Sequence, residues 1–171
     1  GRAGPIPLPG PRQRVVLAAL LLRRNRVVSV DELIDGLWPE SPPATAREQV
    51  LTVVSSLRRL LGDGNRPGRD RLLVTRSPGY LLRIEDEQLD LARVEQLLRD
   101  ADQDGLPPKV RAAALRSALA LWRGPELADV PAPFAVAEAH RLAELRLATM
   151  EKLVEVEFAL GRHAAPAAAG R

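Results

Sequence analysis

The stretch Ser41–Gly62, SPPATAREQVLTVVSSLRRLLG, predicts one helix whose two ends are set by local chemistry. Two prolines disfavour helix before it, and Thr45 and Glu48 have the spacing of a capping box, in which each side chain accepts a hydrogen bond from the other residue's amide. Gly62 follows the last apolar residue, where a left-handed residue can close the final carbonyls. We therefore expect a helix over Thr45–Leu61.

This helix has two faces with different chemistry. Its apolar residues recur at helical spacing and form one stripe for burial, made of Val50, Val54, Leu57 and Leu61. The side chains turned away from that stripe are Gln49, Thr52, Ser55, Ser56 and Arg59. They are polar, uncharged or basic, so they suit base edges and phosphates without placing a carboxylate near the phosphodiester charge. A merely solvated face would show the same pattern, so the neighbouring elements must decide.

Two further helices are predicted upstream. In VVSVDELIDGLW, Val27–Trp38, Ser29 and Glu32 form a second capping box, and Pro39 ends this short helix. Pro11 begins an earlier helix whose apolar residues lie nearly all round, so that helix should be largely buried. A short helix, a loop and a longer helix with a polar outer face make a helix-turn-helix arrangement.

A hairpin is predicted after the long helix. The segment RLLVTRSPGYLLRI, Arg71–Ile84, has two apolar runs around a turn at Arg76–Gly79. The turn would carry Arg76 and Ser77 at its tip, with Thr75 near its base. A hairpin that follows a helix-turn-helix makes a winged helix.

The remaining segments complete a mostly α fold. Ile6–Pro9 could form an edge strand, because prolines alternate with apolar residues there. From Asp90 onward the pattern is helical, with three helices, the last running from about Phe134 to Leu160 and closed by Gly161. Helices of this kind tend to stack as an α-solenoid. We expect a winged helix-turn-helix with a small β-hairpin, followed by an all-α helical domain.

The two halves of the chain differ in the sign of their charge. Residues 1–80 hold 13 arginines against 7 acidic residues, whereas residues 81–171 hold 12 basic against 15 acidic residues. A basic first half favours a polyanionic partner, and an acidic second half indicates a different task. The whole chain of 171 residues, 46% of them hydrophobic, can form one large domain or two small ones.

Several classes of function find no support in the sequence. The absence of cysteine excludes a disulfide framework, a thiolate zinc site and a cysteine nucleophile. We find no nucleophile–base pair, metal-ligand spacing or phosphate loop in a supporting context, so we expect no enzyme, cofactor, metal or small-molecule substrate. No apolar run is long enough to span a membrane and the N-terminus lacks a signal peptide, so we expect a cytoplasmic protein.

Seven motifs are distributed over nearly the whole chain: PLPGPRQRVVLAALLL (Pro7–Leu22), VSVDELIDGLWPESPP (Val28–Pro43), SSLRRLLG (Ser55–Gly62), LLVTRSPGYLL (Leu72–Leu82), ALALWRGPELADV (Ala118–Val130), EAHRLAELRLATMEKLVE (Glu138–Glu155) and ALGRH (Ala159–His163). In this order they resemble the Streptomyces antibiotic regulatory protein family. That family joins an OmpR-type winged helix to a bacterial transcriptional activation domain with TPR-like helices.

The resemblance implies a transcriptional activator that binds direct repeats in double-stranded DNA near promoters and recruits RNA polymerase holoenzyme through its sigma factor. It implies control of secondary-metabolite (antibiotic) biosynthesis genes and allows a homodimer on the repeats. The expected domains are residues 1–85, with the family's other N-terminal strands upstream, and residues 86–171, with further helices beyond them. An alternative from another class makes the helical half a protein-interaction module and the winged helix only its scaffold.

The same resemblance assigns the recognition helix to Thr45–Leu61 and the wing to Thr75–Gly79. The candidate DNA-contacting residues are Thr45, Arg47, Gln49, Thr52, Ser55, Ser56, Arg58, Arg59, Thr75, Arg76 and Ser77. Arg58 is expected toward the flank of the helix, since it cannot point in the same direction as its neighbour. Arg47, Arg59 and Arg76 are the main candidates for phosphate contacts.

Overall fold

The computed structural model describes residues 10–164, apart from the side chains of residues 65, 69 and 162–164. The chain forms two compact units, one made of Gly1–Ile84 with Leu127–Ala139 and the other of Glu85–Glu126 with His140–Arg171. A domain boundary between residues 85 and 86 stays a proposal. The edge strand expected at Ile6–Pro9 lies outside the described residues. None of the helices within residues 10–164 is long and apolar enough to cross a membrane.

The first unit contains the expected winged helix. Its elements are α1 (Pro11–Leu22), β1 (Val27–Ser29), α2 (Val30–Leu37), α3 (Ala46–Leu60), β2 (Leu73–Arg76), β3 (Gly79–Leu82) and the first turns of α6 (Pro133–Ala164). The helix-turn-helix pair is α2 and α3, and the wing is the hairpin of β2 and β3. The expected helix over Thr45–Leu61 is therefore confirmed to within one residue at each end.

The wing belongs to a three-stranded antiparallel sheet in the order β1-β3-β2. The hairpin was expected, but β1 was not, because the sequence pattern assigned its residues to the approach of a helix. In the structure Val27 pairs with Leu81 and Val28 with Tyr80. A strand of three residues gives almost no periodicity of its own. Its existence depends on a partner about 50 residues later in the chain.

Gly79 is required by the close contact between β3 and β1. A Cβ atom at this position would overlap the carbonyl oxygen of Val28 and lie 2.7 Å from the Cα of Ser29. The neighbouring amide of Val30 donates to the carbonyl of Pro78 at 3.2 Å, which brings the wing turn against the start of α2. The glycine therefore allows the backbones to approach, a role that glycine often has inside strands.

The core of the first unit joins all three of its complete helices to the sheet. Its buried members include residues of α1, α2, α3, β1, β2 and β3: Val16, Leu20, Leu33, Val50, Val54, Leu57, Val28, Leu73 and Leu82. As expected, α1 is buried on several sides, including both Val15 and Val16. Burial of each such aliphatic side chain contributes roughly 1.5–3 kcal/mol to folding. The stripe predicted on α3 is thus the surface that holds this helix to the domain.

The capping box at the start of α2 is confirmed. The amide of Glu32 donates to the hydroxyl of Ser29 at 3.1 Å, and the amide of Ser29 donates to Glu32 Oε2 at 2.9 Å. Because both partners are contiguous in sequence, the pattern predicts this cap without tertiary information. Gly62 also adopts the expected left-handed conformation after α3, with φ of 70°.

The capping box expected at the start of α3 is wrong. Thr45 has φ −94° and ψ 18° rather than the extended backbone of an N-cap, and its hydroxyl makes no capping hydrogen bond. Instead it accepts from Gln49 Nε2 at 3.0 Å. A turn precedes the helix, in which the amide of Ala46 donates to the carbonyl of Pro43 at 2.9 Å. The carboxylate of Glu48 is left exposed on the helix surface.

The second unit is helical. It contains α4 (Asp90–Ala101), α5 (Pro108–Leu119) and α6 from His140 onward. The pair α4 and α5 buries small residues, including Ala92 and Ala112, which allows a close packing of the two helices. The expected end of the last helix at Gly161 is wrong, because that glycine lies inside the helix and is not left-handed.

Candidate nucleic-acid interface

One row of exposed side chains lies along α3 on the side opposite the core. It consists of Glu48, Thr52, Ser55 and Arg59, which are spaced by four, three and four residues and therefore lie on one side of the helix. We call these four residues the outer row. Two small hydroxyl side chains lie between a carboxylate and a guanidinium. The hydroxyl of Thr52 also donates to the carbonyl of Glu48 at 3.0 Å.

The chemistry of the outer row differs from that expected for this face. The sequence pattern gave a face without carboxylates, since Glu48 was assigned to the cap. With that cap absent, Glu48 is exposed at the N-terminal end of the row. It forms no ion pair within the described part of the chain. The face is therefore mixed in charge, negative near its start and positive near its end.

Two of the candidate DNA-contacting residues lie on one flank of the outer row. Gln49 is half-buried and its Oε1 accepts from Arg12 Nη1 at 2.7 Å, which joins α3 to α1. Ser56, two turns further along, is also half-buried. Neither side chain lies in the outer row, although both were expected on the outward face.

Two arginines of α3 lie on the other flank, and both are engaged within the protein. Arg47 Nη2 donates to Asp31 Oδ1 at 2.6 Å, an exposed pair between α3 and α2. Arg58 is half-buried: its Nη2 donates to Thr75 Oγ1 at 2.7 Å and its Nε to the carbonyl of Leu73 at 3.1 Å. Arg58 therefore lies on the flank, as expected, and connects α3 to the wing.

The wing presents its polar residues on one short hairpin. Thr75, Arg76 and Ser77 are all exposed, and the register places Arg76 opposite Gly79. The strands extend closer to the turn than expected, so that only Ser77 and Pro78 lie between them. The side chain of Arg76 forms no ion pair or hydrogen bond to any residue among 10–164. Its guanidinium is available to an external anion.

Asp63 positions the wing, and the sequence pattern did not identify it. Its side chain is fully buried, with Oδ1 accepting from the amide of Leu72 at 2.9 Å and Oδ2 from the amide of Leu73 at 2.7 Å. Arg66 lies nearby, with its Nε 3.9 Å from Oδ1. In sequence, this aspartate belongs to a polar, glycine-rich loop. Only its position immediately after the left-handed Gly62 could have suggested a structural role.

A titratable group also stabilises the start of α2. The amide of Ser29 and then its hydroxyl hold the pKa of Glu32 below its ordinary value of 4.5, with partial burial acting in the opposite direction and Arg23 adding a favourable charge. Arg23 Nη1 lies 3.3 Å from Glu32 Oε1. Within the described residues, no group of three or more histidine, cysteine, aspartate or glutamate side chains could hold a metal ion.

The structure thus separates the candidate DNA-contacting residues into three groups. Thr52, Ser55 and Arg59 share the outer row. Thr75, Arg76 and Ser77 share the wing. The others, namely Thr45, Arg47, Gln49, Ser56 and Arg58, are flanking, half-buried or engaged by neighbouring side chains.

Comparison with known proteins matches both halves of the chain. Residues 5–82 match the C-terminal domain of transcriptional regulatory proteins, and residues 89–171 match the bacterial transcriptional activator domain. The regulatory protein AfsR of Streptomyces coelicolor is 40% identical over 90% of this chain and 15% of its own length. The transcriptional regulatory protein MoaR1 of Mycobacterium tuberculosis is 41% identical over 94% of this chain and 53% of its own length.

Two further relatives complete the comparison. The regulatory protein DnrI of Streptomyces peucetius is 36% identical over 90% of this chain and 59% of its own length. A solved structure of Mycobacterium tuberculosis EmbR, in complex with a low-affinity phosphopeptide, superposes with a TM-score of 0.81 at 37% identity. That match covers 94% of this chain and 43% of the EmbR chain. The chain thus spans between 15% and 59% of the length of these curated relatives. With a winged helix followed by an activator domain, it belongs to the Streptomyces antibiotic regulatory protein family of transcriptional regulators.

Proposed function

We propose that this chain is a sequence-specific DNA-binding transcriptional activator. The observation that carries the proposal is the pair Arg59 and Arg76, one on α3 and one on the wing, both exposed and without an ion pair among residues 10–164. Unpaired arginines on both elements of a winged helix supply the positive charge that phosphate binding needs. The relatives are named as regulatory proteins, which points to a regulator rather than an enzyme.

In this proposal α3 enters the major groove of double-stranded DNA with its outer row toward the bases. The major groove is wide enough to admit a helix, and residues near the N-terminal end of a recognition helix contact base edges. The short side chains of Thr52 and Ser55 allow the helix backbone to come close to the bases. Arg59 then contacts a phosphate at the edge of the groove, and Arg76 contacts the backbone or minor groove beside it.

The helical half is proposed to recruit RNA polymerase holoenzyme through its sigma factor. The match of residues 89–171 to the bacterial transcriptional activator domain supports this assignment. Two copies would bind direct repeats near promoters of secondary-metabolite genes, as the family resemblance implies.

Salt dependence tests the DNA contacts. We expect binding of the chain to promoter fragments that contain direct repeats to weaken steeply as salt rises, because each neutralised phosphate releases a counterion. Arg59→Ala and Arg76→Ala should each lower the affinity for all duplexes and reduce the slope of log K against log salt by about 1. Fluorescence anisotropy between about 50 and 200 mM salt, a range over which a protein with several phosphate contacts loses orders of magnitude in affinity, measures both quantities.

A matched control is Arg93→Ala, which removes an exposed arginine of α4 that has no ion pair among the described residues. Its slope should equal that of the unaltered chain. Binding that does not depend on salt, or no binding at all, would contradict the proposal. In that case co-sedimentation with RNA polymerase in the absence of DNA would support the protein-interaction module.

A further inference from the structure

Leu51 is an exposed leucine on the surface of α3 that the proposed function turns toward DNA. Its exposed fraction is 55%, whereas Val50 just before it and Val54 three residues after it are buried. It lies three residues after Glu48 and four before Ser55, so it borders the outer row on the flank that carries Arg47. The core does not use this side chain. An apolar group of this size on a DNA-facing surface can contact one feature of the major groove, the 5-methyl group of thymine.

Glu48 is the second unassigned side chain on the same surface. Its carboxylate is exposed, forms no ion pair within the described residues, and is not part of a helix cap. A carboxylate close to phosphates is repelled by them. In the major groove, however, it can accept a hydrogen bond from the N4 amino group of cytosine. The repulsion by the phosphates is therefore offset only where a cytosine donates a hydrogen bond. A wrong base leaves the carboxylate without a donor, so Glu48 discriminates between bases.

We propose that Leu51 and Glu48 read two neighbouring pyrimidines, with Leu51 packed on the methyl group of a thymine and Glu48 accepting from the amino group of a cytosine. Residues three apart on a helix have Cβ atoms about 5–6 Å apart, and successive base pairs are about 3.4 Å apart. The two side chains can therefore reach adjacent or next-adjacent base pairs. This inference rests on the proposed DNA binding and assigns the specificity of that same surface.

The thymine contact is tested by removing only the methyl group. A library of randomised duplexes first gives the preferred site of the unaltered chain, and each thymine of that site is then replaced by deoxyuridine. We expect one replacement to lower the affinity about 4-fold, the effect of losing one buried methyl group. Leu51→Ala should bind the thymine and deoxyuridine duplexes equally. Val110→Ala, which alters an aliphatic residue of α5 that is 51% exposed, should keep the 4-fold difference.

The cytosine contact is tested by a change that acts in opposite directions on affinity and on preference. Glu48→Ala should raise the affinity for non-specific duplexes, because a negative charge is removed, while it relaxes the preference for cytosine at one position by about 5-fold or more. The control Glu40→Gln removes an exposed carboxylate of the loop before α3 and should leave the preference unchanged.

The outcomes separate this inference from the proposed function. If duplexes bind with a normal salt slope but the base preferences of Leu51→Ala and Glu48→Ala equal those of the unaltered chain, the assignment of bases is overturned and DNA binding stands. If no duplex binds, both are overturned. Since both side chains are exposed, circular dichroism should show unchanged folding in either variant.

Discussion

At the scale of single residues, one buried carboxylate stabilises the wing. Asp63 accepts hydrogen bonds from two consecutive amides at the start of β2, and its side chain has no access to solvent. A buried donor that loses its partner costs more than an average hydrogen bond contributes. The carboxylate therefore stabilises the entry to the hairpin on which Arg76 lies.

Replacing Asp63 by asparagine should destabilise the first unit. The amide group retains one acceptor oxygen, so one of the two buried amides of Leu72 and Leu73 faces an NH₂ group instead of an acceptor. We expect a loss of about 1–3 kcal/mol in the free energy of unfolding. Urea titration at neutral pH measures it. Asp35→Asn, at an exposed position of α2, is the control and should change the stability by no more than about 0.5 kcal/mol.

At the scale of elements, the start of α2 depends on protonation. The folded protein holds the pKa of Glu32 below 4.5, chiefly through the Ser29 amide and hydroxyl. The ionised carboxylate thus favours folding at pH values above its ordinary pKa. That contribution disappears as the pH falls through the lowered pKa, because the folded state must then bind the proton that the unfolded state already holds.

Glu32→Gln should therefore reduce the pH dependence of stability below about pH 4.5. We expect the stability difference between the unaltered chain and the variant to be constant from pH 7 to pH 5 and to shrink toward pH 3. Chemical unfolding at a series of pH values measures this difference. A difference that stays constant down to pH 3 would contradict the role of the ionised carboxylate. Asp35→Asn, exposed and later in the same helix, is a control for loss of charge.

At the element scale, the sheet requires a glycine at position 79. Gly79→Ala would force the backbones of β3 and β1 apart, since the new Cβ overlaps the Val28 carbonyl oxygen. Because backbone atoms cannot move aside as a flexible side chain can, we expect a loss of roughly 4 kcal/mol, at the upper end of single substitutions. Thermal unfolding measures it. Gly64→Ala, where an added Cβ has no neighbour within 4 Å, should be nearly neutral.

At the scale of the whole molecule, the first unit is completed by a segment distant in sequence. Ala132 and Ala135 are buried with Val15, and Phe134 packs against the same cluster. An added Cβ at Gly36 would lie 3.2 Å from the Phe134 ring. Residues 127–139 are therefore part of the stability of the winged helix, although they follow two helices of the other unit.

Phe134→Ala should destabilise the first unit by about 2–3 kcal/mol, less than a fully buried phenylalanine because the ring is partly exposed. The variant is best made with Trp122→Phe, so that Trp38 is the sole tryptophan and reports the first unit by fluorescence. Val136→Ala, at a position that is 61% exposed, should have little effect. Equal stability of the two variants would contradict the contribution of this segment.

The features that the sequence predicts correctly are local ones. The cap of Ser29 and Glu32, the stripe of α3 and the left-handed Gly62 each depend on residues within about one or two helical turns, so periodicity and capping rules suffice. The features it misses join distant segments. The pairing of β1 with β3, the two amides bound by Asp63 and the packing of residues 127–139 on α1 leave no periodic signal. The candidate site also contains a feature that the sequence pattern misses. The carboxylate of Glu48 is exposed because the turn before α3 displaces Thr45 from the cap position.

Arg58 gives the molecule a property that neither α3 nor the wing has alone. Its guanidinium holds the hydroxyl of Thr75 and the carbonyl of Leu73, and it lies 5.9 Å from the centre of the Tyr80 ring. The distance between helix and hairpin is therefore set by contacts within the protein itself. Under the proposed function, little conformational entropy would remain to be lost when both elements dock on DNA, so affinity would be gained by preorganisation rather than by additional contacts. In the proposed complex, the helix and the hairpin would therefore meet the grooves at a spacing that the free protein already holds fixed.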